Sequence, residues 1–366
     1  MRVLLSGYYG FGNLGDEALL EVIIAQLRAR FPAVRLDVLS ADPDATAREL
    51  HVASTPRMDM GRVRDAIGRA DVVLSGGGGL LQNATSVRSL LYYAGIVRSA
   101  VKARKHAMIF AQSIGPLDFW GRTIVREWCK GVERATVRDG RSQALLESLL
   151  PDTPVERTAD PVFLYDAPEE DVDLRSEGIG PDSDPLVIVS VRKAAGIKDV
   201  VEVLAAAVDR LSAAHQARVA FLPIGGRSDA EVSTMVIRKC TSAPVLLPEF
   251  TLARAANLIR RSKAVVGMRL HALILAARYG VPFLAIPYDP KVSALCEDLS
   301  YPLPPLFTPG SPRPSPADLD ASVDRFWSER DSLSSHLTAA SERLRALAAR
   351  NFEVLGEVLG ERPTSL

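Results

Sequence analysis

The chain has 366 residues, enough for two domains, and its 47% hydrophobic and 24% charged residues are typical of a globular protein. Lysine plus arginine equals aspartate plus glutamate at 44 each, which excludes a global attraction for nucleic acid. Three widely spaced cysteines form neither a disulfide framework nor a metal–thiolate motif. No apolar stretch reaches the about 20 residues of a membrane span, and residues 1–7 do not resemble a signal peptide, so we expect a cytoplasmic protein.

The first half of the chain alternates strand and helix signals. Short apolar runs separated by amphipathic segments are typical of buried parallel strands joined by right-handed crossovers. The predicted strands are 2–6, 35–40, 71–75, 107–112, 135–138 and one near Val155; the predicted helices are 15–30, 59–69, 89–102 and 142–149. We therefore expect a doubly wound, Rossmann-like domain over residues 1–170.

An acidic, Pro/Gly-rich stretch predicts a linker at 171–185, after which the same alternation restarts. The predicted strands are 186–191, 218–223, 245–247, 264–266 and 282–286; the predicted helices are 199–214, 229–239, 251–261 and one beginning near His271. Residues 302–316 are proline-rich and 317–359 helical. The fold class is thus α/β, with two doubly wound Rossmann-like domains, 1–170 and 186–316, facing each other across a cleft, and C-terminal helices at 317–366.

The most informative stretch follows the strand at 264–266. A glycine, Arg269 and His271 come directly before an Ala/Leu-rich helix, and Lys291 follows the next strand. In an open α/β sheet this turn faces the ligand crevice at the positive end of a helix dipole. These groups suit a small, highly charged anion whose reaction needs a proton. The alternative is that Arg269 is a surface cation and His271 a structural residue.

The glycine-rich loop after the first strand contains Asn13, Asp16 and Glu17. It superficially resembles a dinucleotide-binding turn, but carboxylates there repel a diphosphate. They can instead bind sugar hydroxyls or act as a general base. The alternative is that one of the three residues caps the following helix.

Further strand ends carry glycines or polar side chains. Glycines bring backbone N–H groups close to a ligand, although tight packing between the domains is an alternative for them. Arg138 is either a second cation for the cleft or the partner of Asp139 or a helix. The groups expected to bind ligand at these strand ends are Gly77, Gly78, Gln112, Arg138 and Arg192.

In combination and order, these motifs resemble the polysaccharide pyruvyl transferase family. The matching motifs are Gly7-Tyr8-Tyr9-Gly10, Asn13-x-Gly15-Asp16-Glu17, the glycines at 76–79, Gln112-Ser113-Ile114-Gly115-Pro116, Arg138-Asp139, Asp160-Pro161 and Arg269-Leu270-His271. The resemblance implies a GT-B-like fold and transfer of a pyruvyl group from phosphoenolpyruvate to two hydroxyls of one sugar, with a cyclic ketal and phosphate as products. It also implies that Arg269, Leu270, His271 and Arg138 bind phosphoenolpyruvate and that Lys291 is functionally important.

The most similar members pyruvylate bacterial cell-wall polymers, as in S-layer anchoring. This implies an acceptor such as N-acetylmannosamine on a lipid carrier, and a position at the inner membrane face. The basic run formed by Arg98, Lys102, Arg104 and Lys105 is either a contact with anionic lipid or a solvated helix face.

In the resulting hypothesis, His271 is the general acid and Asp16 or Glu17 the base, with no cofactor and no metal. Two alternatives stay open. One is a glycosyltransferase that binds a nucleotide sugar through the stretch at 225–229. The other is a non-catalytic carbohydrate-binding protein, because fold alone does not decide chemistry.

Overall fold

The computed structural model describes residues 1–84, 86–170, 173, 175, 177–179 and 184–360. Contacts divide the chain into two compact units. Unit 1 comprises Met1–Tyr165 and Leu344–Leu366, and unit 2 comprises Asp166–Arg343. Most of the stretch predicted as a linker lies outside the described residues.

Unit 1 is built on a seven-stranded parallel sheet with the strand order β3-β2-β1-β4-β5-β6-β7. Its register sets Ser6 opposite Ser75 and Gly78 opposite Gln112, so the carboxyl ends of β1, β4 and β5 lie at one edge. The strands are β1 Arg2–Ser6, β2 Arg35–Ser40, β3 Ala53–Pro56, β4 Val72–Gly78, β5 His106–Gln112, β6 Arg134–Val137 and β7 Val155–Arg157.

Helices cover the strands of this sheet, and all of them except α2 bury apolar side chains. In α1, Leu20, Ile23 and Leu27 pack with Val3 and Leu5 of β1 in one core cluster. The helices are α1 Leu14–Arg30, α2 Pro43–Leu50, α3 Met60–Arg69, α4 Val87–Lys102, α5 Phe119–Trp128 and α6 Gly140–Leu149, followed by a 3₁₀ helix at Pro161–Leu164. The elements β3, α2 and α5 were missing from the sequence prediction.

Unit 2 repeats the arrangement with a five-stranded parallel sheet in the order β10-β9-β8-β11-β12. The strands are β8 Leu186–Ser190, β9 Arg218–Phe221, β10 Val245–Leu246, β11 Ala264–Gly267 and β12 Phe283–Ala285. The helices are α7 Ile197–His215, α8 Arg227–Ile237, α9 Leu252–Arg261, α10 Leu270–Arg278, α11 Pro290–Asp298 and α12 Pro316–Ser328. Of these, α11 was not predicted.

The C-terminal helices are part of both cores. In unit 2, α12 packs on α7, and its Phe326 is fully buried. The last helix, α13 Arg330–Leu359, begins in unit 2 and ends in unit 1, where Phe352 and Leu355 join the core cluster of β1. Asn351 anchors this end, because its amide accepts a hydrogen bond from the Thr158 hydroxyl at 2.8 Å and donates one to the Ala159 carbonyl at 2.9 Å.

The predicted fold class is confirmed. Both sheets are parallel, and in each the strand order reverses around its first strand, β1 or β8, which is the doubly wound topology. The predicted C-terminal helical segment is present as α12 and α13. Among the described helices, none combines the length and the apolar character needed to cross a bilayer.

Candidate functional site

Three loops of unit 2 meet at the carboxyl edge of its sheet. Strands β8, β11 and β12 are neighbours, and Gly267 at the end of β11 pairs with Ser190 of β8 and Ala285 of β12. Arg192 follows β8, Arg269 follows β11, and Tyr288 follows β12, each within three residues of its strand. The parallel topology therefore gathers these side chains at one edge of the sheet.

Arg269 is held in a fixed position by a buried carboxylate. Its Nε and Nη2 donate to the two oxygens of Asp229 at 2.7 and 2.5 Å, and Asp229 is fully buried. The backbone N–H of Gly225 donates to the same carboxylate at 2.7 Å. A Cβ on Gly225 would lie 1.8 Å from Arg269 Nη2, so any side chain at this position would displace the guanidinium. The Nη1 group takes no part in this pair and is the part of the guanidinium suited to an anion.

His271 is the second residue of α10, directly after Leu270, and its side chain is partly buried. The first turn of a helix presents unsatisfied backbone N–H groups and the positive end of the dipole. Arg269 occupies the N-cap position without a side-chain cap of its own. An anion at this helix start would therefore lie beside both the guanidinium and the imidazole.

Arg192 and Tyr288 form a second fixed pair. Arg192 Nη1 donates to the Tyr288 hydroxyl at 2.7 Å, and the guanidinium lies 4.6 Å from the centre of the ring. Burial raises the pKa of Tyr288, and the charges of Arg192 and Arg269 act in the opposite direction. Both cations thus lie close enough to the same phenol to affect its ionisation. Sequence reasoning gave Tyr288 no role, although it stands in the same short stretch as Lys291.

Lys291 lies on the first turn of α11, and this helix packs against α10. Asp289 is the N-cap of the helix, and its carboxylate accepts a hydrogen bond from the Lys291 backbone N–H at 3.0 Å. The start of α11 follows β12, next to the strand that leads into α10. We call Arg192, Arg269, His271, Tyr288 and Lys291 the basic cluster. It combines cations, an imidazole and two helix starts within unit 2.

In unit 1, Glu17 is bound to its own loop. Its Oε1 accepts hydrogen bonds from the backbone N–H groups of Gly10, Phe11 and Gly12 at 2.9, 3.2 and 3.3 Å. Burial raises the pKa of Glu17, and these N–H groups partly oppose that shift. The carboxylate therefore stabilises the loop after β1, which favours a structural role over the predicted role as a base.

Asn13 and Asp16 lie together at the start of α1. Asn13 is the N-cap, accepts from the Gly15 N–H at 3.3 Å and donates to Asp16 at 2.6 Å, so the capping alternative describes Asn13. Gly77 and Gly78 end β4 with φ of 71° and 80°. A Cβ on Gly78 would lie 3.0 Å from Asp16 Oδ1, which places this carboxylate against the glycine run. The structure thus brings Asn13, Asp16, Gly77 and Gly78 to one place.

Gln112 and Arg138 make their contacts inside unit 1. Gln112 is fully buried and donates to the carbonyl and hydroxyl of Ser75 at 2.6 and 2.9 Å. Arg138 is buried, donates to Ser113 and forms an ion pair with Asp160. The internal alternatives for Arg138 were Asp139 or a helix, but Asp139 caps α6 and the ion-pair partner of Arg138 is Asp160. These contacts describe structural roles, and binding of phosphoenolpyruvate by Arg138 stays a prediction.

Residues 225–229, the stretch predicted to bind a nucleotide sugar in the alternative function, instead hold Arg269 in place. Its carboxylate, Asp229, is fully buried and bound to Arg269, and so is not exposed to ribose hydroxyls. Over the described residues, no group of three or more His, Cys, Asp or Glu side chains is arranged to hold a metal ion.

A family model described as polysaccharide pyruvyl transferase matches residues 13–290. A comparison with curated proteins found no match. Among solved structures, a putative UDP-N-acetylglucosamine 2-epimerase from Listeria monocytogenes is similar to this chain with a TM-score of 0.69 and 11% identity, over 100% of this chain and 99% of that one.

Two further structures show the same likeness. The UDP-GlcNAc 2-epimerase of Neisseria meningitidis bound to UDP-GlcNAc gives a TM-score of 0.62 at 10% identity, over 99% of this chain and 100% of that one. A glycosyltransferase from Rickettsia africae gives 0.65 at 11% identity, over 98% of each chain. At such low identity these structures show a shared GT-B-like fold and nothing of the substrate.

Proposed function

Because the chain belongs to the polysaccharide pyruvyl transferase family, we propose that it transfers the pyruvyl group of phosphoenolpyruvate to two hydroxyls of one sugar. The observation that carries this proposal is the basic cluster at the carboxyl edge of the unit 2 sheet. Phosphoenolpyruvate has a carboxylate and a phosphate on adjacent positions of a three-carbon unit. It therefore needs several cations and N–H donors close together, with a proton donor beside them.

The basic cluster supplies these groups with little reorganisation. Asp229 fixes Arg269, and Tyr288 fixes Arg192, so two guanidinium groups are oriented before a ligand binds. Lys291 and the starts of α10 and α11 add positive charge. Since Asp229 offsets the charge of Arg269, we propose that Arg192, Lys291 and the helix starts provide much of the attraction while Arg269 provides orientation.

In the proposed reaction, His271 donates a proton to the methylene carbon of phosphoenolpyruvate, and a sugar hydroxyl oxygen bonds to the neighbouring carbon. The second hydroxyl then bonds to that carbon as its bond to the phosphate oxygen breaks. The two hydroxyl protons are accounted for by the new methyl group and the released phosphate. Asp16 is the base that we propose for the attacking hydroxyl, since Glu17 is occupied by loop N–H groups.

We propose that the acceptor is an N-acetylmannosamine residue of a lipid-linked precursor of a cell-wall polymer. The description of the family supports a saccharide acceptor. The carboxylate and amide of Asp16 and Asn13 at the carboxyl edge of the unit 1 sheet are suited to sugar hydroxyls. A glycosyltransferase that uses a nucleotide sugar is less well supported, because Asp229 is buried and paired.

The test is a reaction in D₂O with phosphoenolpyruvate and a synthetic lipid-diphosphate disaccharide that ends in N-acetylmannosamine. We expect acceptor-dependent phosphate release and a ketal whose methyl group carries one deuterium, because the added proton comes from an exchangeable group. A parallel reaction with UDP-glucose in place of phosphoenolpyruvate is the control and should give no product. Glycosyl transfer in that control, or no phosphate release with phosphoenolpyruvate, would overturn the proposal.

A further inference from the structure

Unit 1 exposes large apolar side chains along two adjacent helices. At the start of α5, Phe119 and Trp120 are 74% and 71% exposed and pack edge-to-face against each other. At the start of the neighbouring helix α4, Val87 and Leu91 are also exposed. Exposing two adjacent aromatic rings to water is energetically unfavourable. Apolar patches of this kind therefore mark interaction surfaces.

The two helices run side by side in the same direction. Asn83, just before α4, accepts a hydrogen bond from the Asp118 N–H, just before α5. Further along, Gly95 of α4 lies against the Trp128 ring near the end of α5. The exposed apolar side chains at the two helix starts therefore belong to one end of one surface. We call the surface that is formed by the exposed sides of α4 and α5 the α4–α5 face.

The same region contains cations and few carboxylates. Between Asp71 and Asp118 the sequence has no acidic residue, although the whole chain has as many acidic as basic ones. The five Lys and Arg residues in that interval are Arg88, Arg98, Lys102, Arg104 and Lys105. On α5, Arg122, Arg126 and the following Lys130 are exposed and outnumber the exposed carboxylates of Asp118 and Glu127.

Helical spacing puts apolar and cationic side chains on one stripe of α4. Val87, Leu91, Arg98 and Lys102 are separated by four, seven and four residues, which are the spacings of one helix face, and all four are exposed. Arg98 lies over the Trp128 ring at 5.1 Å, so the stripe continues onto α5. The stripe is therefore apolar near the N-terminus of α4 and cationic near its C-terminus.

From this pattern we propose that the α4–α5 face binds the surface of an anionic lipid bilayer. Tryptophan and phenylalanine insert at the boundary between lipid headgroups and chains, and exposed Lys and Arg side chains attract the negative surface. A protein partner would account for the aromatic side chains but does not by itself require an acid-free helix. Charge complementarity therefore favours the bilayer.

The position of the face agrees with the proposed acceptor. In a parallel α/β sheet the helix starts lie at the carboxyl edge, so Phe119, Trp120 and Val87 lie at the edge that also carries the loop of Asn13 and Asp16. Docking at this edge would bring a lipid-linked sugar near that loop. The proposal does not rest on the proposed function, because vesicle binding can be measured without donor or acceptor.

The test is flotation of the full-length protein with vesicles of phosphatidylcholine alone or with about one third phosphatidylglycerol, a composition that gives a negative surface. We expect binding to the anionic vesicles only, weakened by added salt. Replacing the two exposed aromatics (Phe119→Ser with Trp120→Ser) or two of the exposed α4 cations (Arg88→Gln with Lys102→Gln) should each lower the partition coefficient about 10-fold or more. The matched control, Met235→Ser with Arg238→Gln at exposed positions near the end of α8, should bind as wild type does.

Three outcomes of the flotation experiment would overturn this proposal: no binding of the wild type to anionic vesicles, equal binding of the aromatic variant and the wild type, or equal loss of binding in the control variant. Because all replaced side chains are exposed, folding should be unchanged, which thermal denaturation checks. Sedimentation equilibrium tests the competing occupant of the α4–α5 face, a second copy of this chain. If the wild type is a dimer and the aromatic variant a monomer, the face is an interface between copies and the bilayer assignment is wrong. Activity on a soluble acceptor fragment should be equal in all variants.

Discussion

Adding one methyl group at Gly225 should displace the guanidinium that we assign to donor binding. A Cβ there would lie 1.8 Å from Arg269 Nη2, 2.5 Å from its Cζ and 2.9 Å from Asp229 Oδ2. Ordinary contacts between such atoms are longer than about 3 Å, so in Gly225→Ala the guanidinium must retreat by more than about 1 Å. That movement breaks both hydrogen bonds to Asp229.

The magnitude follows from the burial of this pair. Disrupting a buried ion pair costs about 3–5 kcal/mol, and the lower end applies because the Arg269 side chain is 14% exposed. We therefore expect the free energy of unfolding to fall by about 3 kcal/mol. A misplacement of about 1 Å in a group that positions substrate lowers rates by about 100-fold. The expected change in kcat/KM for phosphoenolpyruvate is therefore a loss of about 100-fold.

The assay is steady-state phosphate release at saturating acceptor, together with urea denaturation of the same preparations. Gly68→Ala is the matched control, since Gly68 lies in α3 and an added Cβ would meet no atom within 4 Å outside its chain neighbours and its own helix backbone. The control should keep wild-type kinetics and stability, or gain up to about 1 kcal/mol from helix propensity. If Gly225→Ala keeps kcat/KM within about threefold of wild type, Arg269 does not need its observed position and the reasoning fails.

Three further substitutions test other contacts. Asp160→Asn leaves the buried Arg138 guanidinium without its anionic partner and should lower the free energy of unfolding, measured by urea denaturation, by about 3 kcal/mol. An unchanged urea midpoint would contradict a structural role for this ion pair. Tyr288→Phe removes the hydroxyl that accepts from Arg192 Nη1 and should raise KM for phosphoenolpyruvate about 10-fold with stability nearly unchanged. An equal KM would remove Arg192 from the donor site. Burial raises the pKa of Glu17 above its ordinary value of 4.5, so between the two pKa values the folded state binds a proton that the unfolded state has lost. The contribution of Glu17 to the free energy of unfolding therefore falls as the pH rises from 4.5 through the raised pKa. Glu17→Gln should remove that decline in denaturation curves recorded at several pH values, and equal pH slopes in the two proteins would refute it.

The sequence was sufficient to predict the parallel α/β architecture, because buried parallel strands are nearly continuous apolar runs that are easily distinguished from amphipathic helices. It failed at β3, whose residues Ala53–Pro56 are small or polar and pair only with β2 at the sheet edge. It also failed at α5, where exposed Phe119 and Trp120 obscure the amphipathic pattern. The start of α11 does carry a sequence signal for a helix, an N-cap aspartate followed by proline.

Part of the grouping at the candidate site follows from topology, although the binding roles of its residues stay predictions. Carboxyl ends of parallel strands share one edge, so the sequence could group Arg192, Arg269 and Lys291 as residues that follow strands, and the structure adds that these strands are neighbours. The partners of these residues could not be predicted, because they depend on how side chains from distant elements pack. Asp229 fixes Arg269 from 40 positions away. In the same way, nothing in the spacing of Glu17 indicated that it would accept the N–H groups of its own loop.

The most direct test of the account is calorimetric binding of phosphoenolpyruvate to the wild type and to His271→Asn, followed by a single-turnover measurement of phosphate release with the acceptor present. The account predicts that both proteins bind the donor with affinities within about fivefold, because Arg192, Arg269 and Lys291 are intact, and that the variant releases phosphate at least about 100-fold more slowly. Absence of donor binding to the wild type, or turnover by the variant at the wild-type rate, would contradict it.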